Sequence, residues 1–133
     1  MSRENVETVR QALRAFDRGL DEVVDYWDPE IDWRAIEGAP DDVGVFSGRD
    51  ALRRYYEQWY ETFDDLRADA EEFADLGDGR VVASMHVVGR LKGSHAEVDM
   101  RLAIVYTVRG GLIVRGREYA TREEAVEATD LQE

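Results

Sequence analysis

Glu118 is the residue of this sequence best placed for proton chemistry. It closes the segment Val114-Arg115-Gly116-Arg117-Glu118, where alternation puts residues 114, 116 and 118 on one side. Val114, Gly116 and Glu118 are expected to face inward, with Gly116 leaving open volume beside the carboxylate. A carboxyl group in an apolar pocket is disfavoured as the anion, which suits it to work as general base or acid. Tyr56 and Tyr106 are the candidate partners, each able to donate a hydrogen bond that polarises a ligand oxygen. Trp33, Trp59, Met85, Met100 and Ile104 are the expected apolar walls of such a pocket. The bland reading of these aromatic residues is core packing, and for Glu118 it is pairing with an arginine.

Other chemistry finds little support. The two histidines, His86 and His95, lie far apart with no ligand cluster around them, and there is no cysteine. No metal or other cofactor is therefore expected. His86 falls on the outward side of its strand and His95 beside a turn. No phosphate-cradling glycine loop or Ser-His-Asp pattern occurs.

The elements that must position these residues can be read from periodicity. Val6, Val9, Leu13 and Phe16 recur at helical spacing after Ser2, a plausible N-cap, and Gly19 ends that helix. A short second helix is expected to hold Val23, Val24 and Trp27, with Pro29 stopping it. Ile31, Trp33 and Ala35 alternate with Asp32, Arg34 and Ile36 in a first strand. Glu37 to Phe46 is read as a loop and a candidate lid. Ser47 and Asp50 have capping-box spacing for a third helix, along which Leu52, Tyr55, Tyr56, Trp59 and Phe63 form one stripe.

Four antiparallel strands follow, near 66–75, 80–92, 96–109 and 112–120. Asp78-Gly79, Gly93-Ser94 and Gly110-Gly111 make their turns. Val81, Ala83, Met85, Val87 and Leu91 share the inner side of one strand. Val98, Met100, Leu102, Ile104, Tyr106 and Val108 share that of the next. The opposite face is charged at one end and carries Ala103, Val105 and Thr107 at the other, which suits partial cover by a second subunit. Thr121 and Glu124 form a capping box for a last helix over 122–128.

The 133 residues make one domain, 1–133, and 44% hydrophobic content supports a folded core. Seventeen basic against thirty acidic residues leave a net charge of −13, which repels nucleic acid and anionic membranes. The apolar runs are too short to span a bilayer, and the polar N-terminus has no signal-peptide stretch. A cytoplasmic location is the expectation.

Several blocks, in order, carry a family resemblance. They are Val9 through Gly19, Trp27-Asp28-Pro29-Glu30-Ile31-Asp32-Trp33, Phe46 through Tyr56, and Ala103 through Arg115, with Glu118-Tyr119 and Arg122-Glu123-Glu124-Ala125. Together they resemble the SnoaL-like branch of the nuclear transport factor two-like superfamily, which includes relatives of ketosteroid isomerase and limonene epoxide hydrolase. The resemblance implies an α+β fold, with a cone-shaped, curved mixed or antiparallel sheet wrapped around N-terminal helices as a cystatin-like α+β barrel. It also implies a pocket between sheet and helices, and a homodimer. It does not imply one reaction.

The residues that do chemistry in ketosteroid isomerase-like members fall on Ala12, Ile104 and Ala35, none of which can exchange a proton. Many SnoaL-like chains carry a histidine where Ile104 stands. The hydrolase-like Asp-Arg-Asp arrangement has only Asp99 and Arg101, on the outer face. The expected function is thus a pocket for a small, mostly apolar organic molecule. If there is turnover, it is isomerase, cyclase or hydrolase chemistry in which Glu118 moves a proton. The alternative is a binding or dimerisation module without turnover. An open cavity with Glu118 at its base favours the enzyme, and an interior filled by Trp33, Trp59 and Tyr106 favours the module.

Overall fold

The computed structural model describes residues 2–35 and 45–131. The chain begins with helix α1 (Ser2–Arg18), which Gly19 ends at a φ of 130°, a backbone angle open to glycine. Val9, Ala12, Leu13 and Ala15 are buried along its inner face. Ser2 is itself a helical residue. A four-residue helix α2 (Leu20–Val23) and a 3-10 turn (Val24–Tyr26) lead into strand β1 (Trp27–Arg34). Trp27 therefore opens the strand; it does not close the helix. Pro29 lies inside β1, within the stretch where pairing with the neighbouring strand slips between Trp27 and Asp32. A proline has no N–H to give a ladder, so the irregularity accommodates it.

Of the loop expected over 37–46, residues 37–44 lie outside the described residues. Val45 and Phe46 belong to a short strand, β2 (Val45–Ser47). Helix α3 (Arg49–Thr62) follows with Gly48 at its N-cap and no side-chain cap bond, so the Ser47–Asp50 capping box does not form. Ser47 is instead paired to Asp32 as part of β2. Without an intervening turn, α3 runs into β3 (Phe63–Gly77), the first of four long strands. These continue as β4 (Arg80–Leu91), β5 (Glu97–Arg109) and β6 (Leu112–Tyr119). Helix α4 (Arg122–Leu131) is the last described element, and the Thr121 hydroxyl accepts the Glu124 N–H at 3.1 Å.

The six strands form one curved, mixed sheet in the order β2-β1-β6-β5-β4-β3. It does not close into a barrel. All neighbours are antiparallel except β1 and β6. The tight β3–β4 turn has positive φ at Asp78 (56°) and Gly79 (80°), as the sequence signal implies. A Cβ on Gly79 would also lie 2.7 Å from the Val108 carbonyl oxygen. Strand β3 is an outer edge, and its pairing with β4 is interrupted by three register shifts.

The inner face of the sheet and helices α1 and α3 enclose the main core. Val81, Ala83, Met85 and Val87 of β4 point there, as do Leu102, Ile104, Tyr106 and Val108 of β5. Leu91, expected among them, is exposed at the strand end. In β6 the alternation breaks. Thr107 pairs with Arg115 but Val108 with Ile113, so Val114 is the extra residue of a bulge. The bulge flips the parity of what precedes it. Ile113, not Val114, enters the core, while Gly116 and Glu118 keep their inward aspect. On the other face Val82, Ala103 and Val105 make a second cluster with Ala125 of α4. The chain thus covers with its own last helix the apolar patch that suggested a partner subunit.

Candidate functional site

The sheet register assembles the site. Trp33 of β1, Gly116 of β6 and Tyr106 of β5 lie in one row, and Ile104 and Glu118 pair in the next. Helix α3 crosses above them and lowers Tyr55 and Tyr56 toward the carboxylate. Glu118 is 7% exposed. Its Oε2 accepts the Trp33 Nε1–H at 2.8 Å and the Tyr56 hydroxyl at 3.0 Å, and its Oε1 accepts the Tyr55 hydroxyl at 3.0 Å. Donors aimed at a carboxylate favour its ionised form, opposing burial. The sequence reading weighed burial and pairing with an arginine; the donors are instead an indole and two phenols. Trp33 and Tyr56 meet edge to face, with ring centres 5.9 Å apart, and Trp33 and Tyr106 do the same at 5.8 Å.

Between these groups and α1 lies a cavity of about 60 Å³ with an almost wholly apolar wall. Trp33, Tyr56, Trp59, Met85, Ile104, Tyr106 and Glu118 border it, as do Ala12, Phe16, Trp27, Leu66 and Ile113. Two residues expected at the pocket are not on its wall. Met100 sits half-buried toward the charged end of β5. Gly116 leaves no open volume, because the Trp33 indole occupies it; a Cβ there would lie 2.1 Å from Trp33 Cζ3.

Two polar groups of the wall have hydrogen-bonding capacity to spare. Trp59 Nε1 is buried and has no hydrogen-bond partner among the described residues. The Tyr106 hydroxyl makes no hydrogen bond among the described residues. Burial raises the Tyr106 phenol well above its ordinary value and the Glu118 charge adds to the effect, so it stays a donor at neutral pH. Burial, then Glu118, raises Tyr56 likewise, but its proton is already given to Glu118. Of the two tyrosines, Tyr106 is therefore the one placed to polarise a ligand oxygen.

The rim of the site is tied down at the end of α1. Asp17 Oδ1 accepts the Ala68 N–H of β3 at 3.2 Å, and burial is the main cause that raises its carboxyl. Tyr60 donates to the Phe16 carbonyl, and burial pushes its phenol up to about 12.

On the outer face, His86 Nε2 lies 2.6 Å from Asp99 Oδ1 and Arg101 bonds Glu71 at 3.0 Å, away from the cavity. His95 is exposed beside its turn. Ala35 is buried in the core but off the cavity wall. Among the described residues, no group of three or more His, Asp or Glu is placed to hold a metal ion, and no helix is long and apolar enough to cross a membrane. Tyr55, read from the sequence only as part of a packing stripe, is a donor to the Glu118 carboxylate that the reading missed. Its convergence with Tyr56 on one carboxylate depends on where β6 passes under α3, which no local pattern encodes.

A family profile described as the SnoaL-like domain matches residues 9–116. No match was found among curated proteins. Solved structures share the fold. Bal32a, from a soil-derived mobile gene cassette, is 22% identical, with a TM-score of 0.79 over 96% of each chain. An NTF2-like protein from Burkholderia pseudomallei is 20% identical, with a TM-score of 0.75 over 93% of this chain and 95% of that one. A protein of ketosteroid isomerase-like fold from Catenulispora acidiphila, solved in complex with trimethylamine, is 14% identical, with a TM-score of 0.71 over 86% and 85%.

Proposed function

We propose that this chain, which belongs to the SnoaL-like domain family, binds a small, mostly apolar organic molecule that presents one N–H or O–H group to Glu118. The observation that carries the reading is the Glu118 carboxylate, held by Trp33, Tyr55 and Tyr56 in the wall of an otherwise apolar cavity. An ionised carboxylate flanked by aromatic rings is a favourable neighbour for a donor, and more so for a small ammonium group. The cavity volume of about 60 Å³ sets the scale. It has room for a handful of heavy atoms, well below the roughly 300 Å³ at which drug-sized pockets begin.

Trimethylamine, found with the Catenulispora acidiphila protein, has the right size and polarity for a probe. As trimethylammonium it offers one N–H to Glu118 and three methyl groups to the aromatic walls. Calorimetric titration with trimethylammonium chloride should give a saturable isotherm, and Glu118→Gln should weaken binding about tenfold or more. Absence of saturable binding, or equal binding by the variant, would overturn the proposal.

A second reading adds turnover. Glu118 and the unbonded Tyr106 hydroxyl border the same cavity, so a bound molecule would meet a proton acceptor and an oxygen-polarising donor together. The donors on Glu118 weaken it as a base, which places binding first.

The open end of the outer sheet face is the surface we assign to a second copy of the chain. Its support is the family's dimeric habit and the mutually paired His86–Asp99 and Arg101–Glu71 side chains, His86 half-buried and the others exposed. Sedimentation at micromolar concentration should give twice the chain mass. The mass of a single chain would count against this surface.

A further inference from the structure

Trp59 is 6% exposed and borders the cavity, and among the described residues its indole Nε1–H is buried with no hydrogen-bond partner. Buried donors are nearly always satisfied, so a donor left unpaired in a cavity wall calls for a reason. The ring has little freedom to seek a partner elsewhere. Tyr55 abuts it edge to face, with centres 6.4 Å apart, and Phe63 packs on it at 5.7 Å. The indole N–H is a donor only, so what completes it must bring a lone pair.

We propose that Trp59 is a ligand-binding residue, whose Nε1–H donates to an uncharged oxygen of the molecule held in the cavity. This rests on the reading of the cavity as a binding site, and it narrows the ligand class. Glu118 in the same wall repels an anionic oxygen, which excludes carboxylates and phosphates in favour of a carbonyl, ether or hydroxyl. The ligand is then two-ended: a donor group meets Glu118 and an oxygen lone pair meets Trp59, with apolar substance between. A hydrocarbon of the same shape fills the space but leaves the indole unpaired.

Acetone and dimethyl sulfide separate these possibilities. They are alike in size and shape, and only acetone carries a strong acceptor. With the three indole N–H resonances of the protein sequentially assigned, acetone should move the Trp59 signal downfield and dimethyl sulfide should not. Trp59→Phe, which keeps an aromatic ring on the wall, should lower acetone affinity about tenfold while leaving dimethyl sulfide unchanged. The resonance comparison uses the wild-type chain alone, so it stands even if the variant folds poorly. If both probes bind with equal affinity and move the Trp59 signal alike, the inference falls and the binding site stands. If neither perturbs any cavity residue, the binding site falls and the inference with it.

Discussion

Gly116→Ala is expected to lower folding stability by about 3 kcal/mol, roughly 10 °C in unfolding midpoint for a chain of this size. The added Cβ would lie 2.1, 2.2 and 2.6 Å from Trp33 Cζ3, Cε3 and Cη2. Backbone strain contributes nothing, because Gly116 is not among the glycines with positive φ. The clash is purely steric, and Trp33 cannot yield cheaply. Its Nε1 is bonded to Glu118, and Tyr56 and Tyr106 meet its ring edge to face. Turning the indole aside breaks the Glu118 bond and disturbs both contacts. Shrinking the ring should therefore rescue the variant. The double substitution Gly116→Ala with Trp33→Phe should lose less than the sum of the two single ones. Urea unfolding of the four chains gives the comparison. A cost for Gly116→Ala below about 1 kcal/mol, or strict additivity, would mean that the Trp33 ring does not fill this space.

The second large effect is expected at Glu118. Glu118→Ala should cost about 2–4 kcal/mol, because it strips the acceptor from three donors, Trp33 and Tyr55 buried and Tyr56 partly so, and opens a gap in the core. Relief from burying the charge offsets part of that loss. The tyrosine hydroxyls can turn to accept from one another, but the Trp33 N–H cannot, so Trp33 keeps most of the penalty. Glu118→Gln preserves the shape and one good acceptor, and should cost about 1–2 kcal/mol. Equilibrium unfolding would give both values. If Ala and Gln cost the same, the donors are not what holds this carboxylate in place.

The fold was largely open to a reading of the sequence, because its second half is governed by rules of short range. Period-two alternation and the Gly-rich turns place β3 to β6 to within a few residues, and alternation alone aims Glu118 inward. What escaped depends on partners distant in sequence. The Val114 bulge is a single extra residue that no local rule announces, yet it exchanges Ile113 for Val114 in the core. The space beside Gly116 looks empty until the ring of a residue 83 positions earlier is laid across it. Trp59 reads as an apolar wall from its helical spacing, and only the assembled wall shows that its N–H has no partner among the described residues. The apolar end of the outer face gives no sign that α4 will fold back over it.

The long β3 edge bears on how this protein stays apart from its neighbours in a crowded solution. An exposed edge strand offers unpaired backbone groups to any other chain in extended form. Here the edge carries Asp64, Asp65, Asp69, Glu71, Glu72 and Asp75, and three register shifts keep it from lying flat. A strand approaching edge-on meets concentrated negative charge and an irregular ladder. Part of the overall acidity is thereby spent where strand-to-strand aggregation would otherwise start.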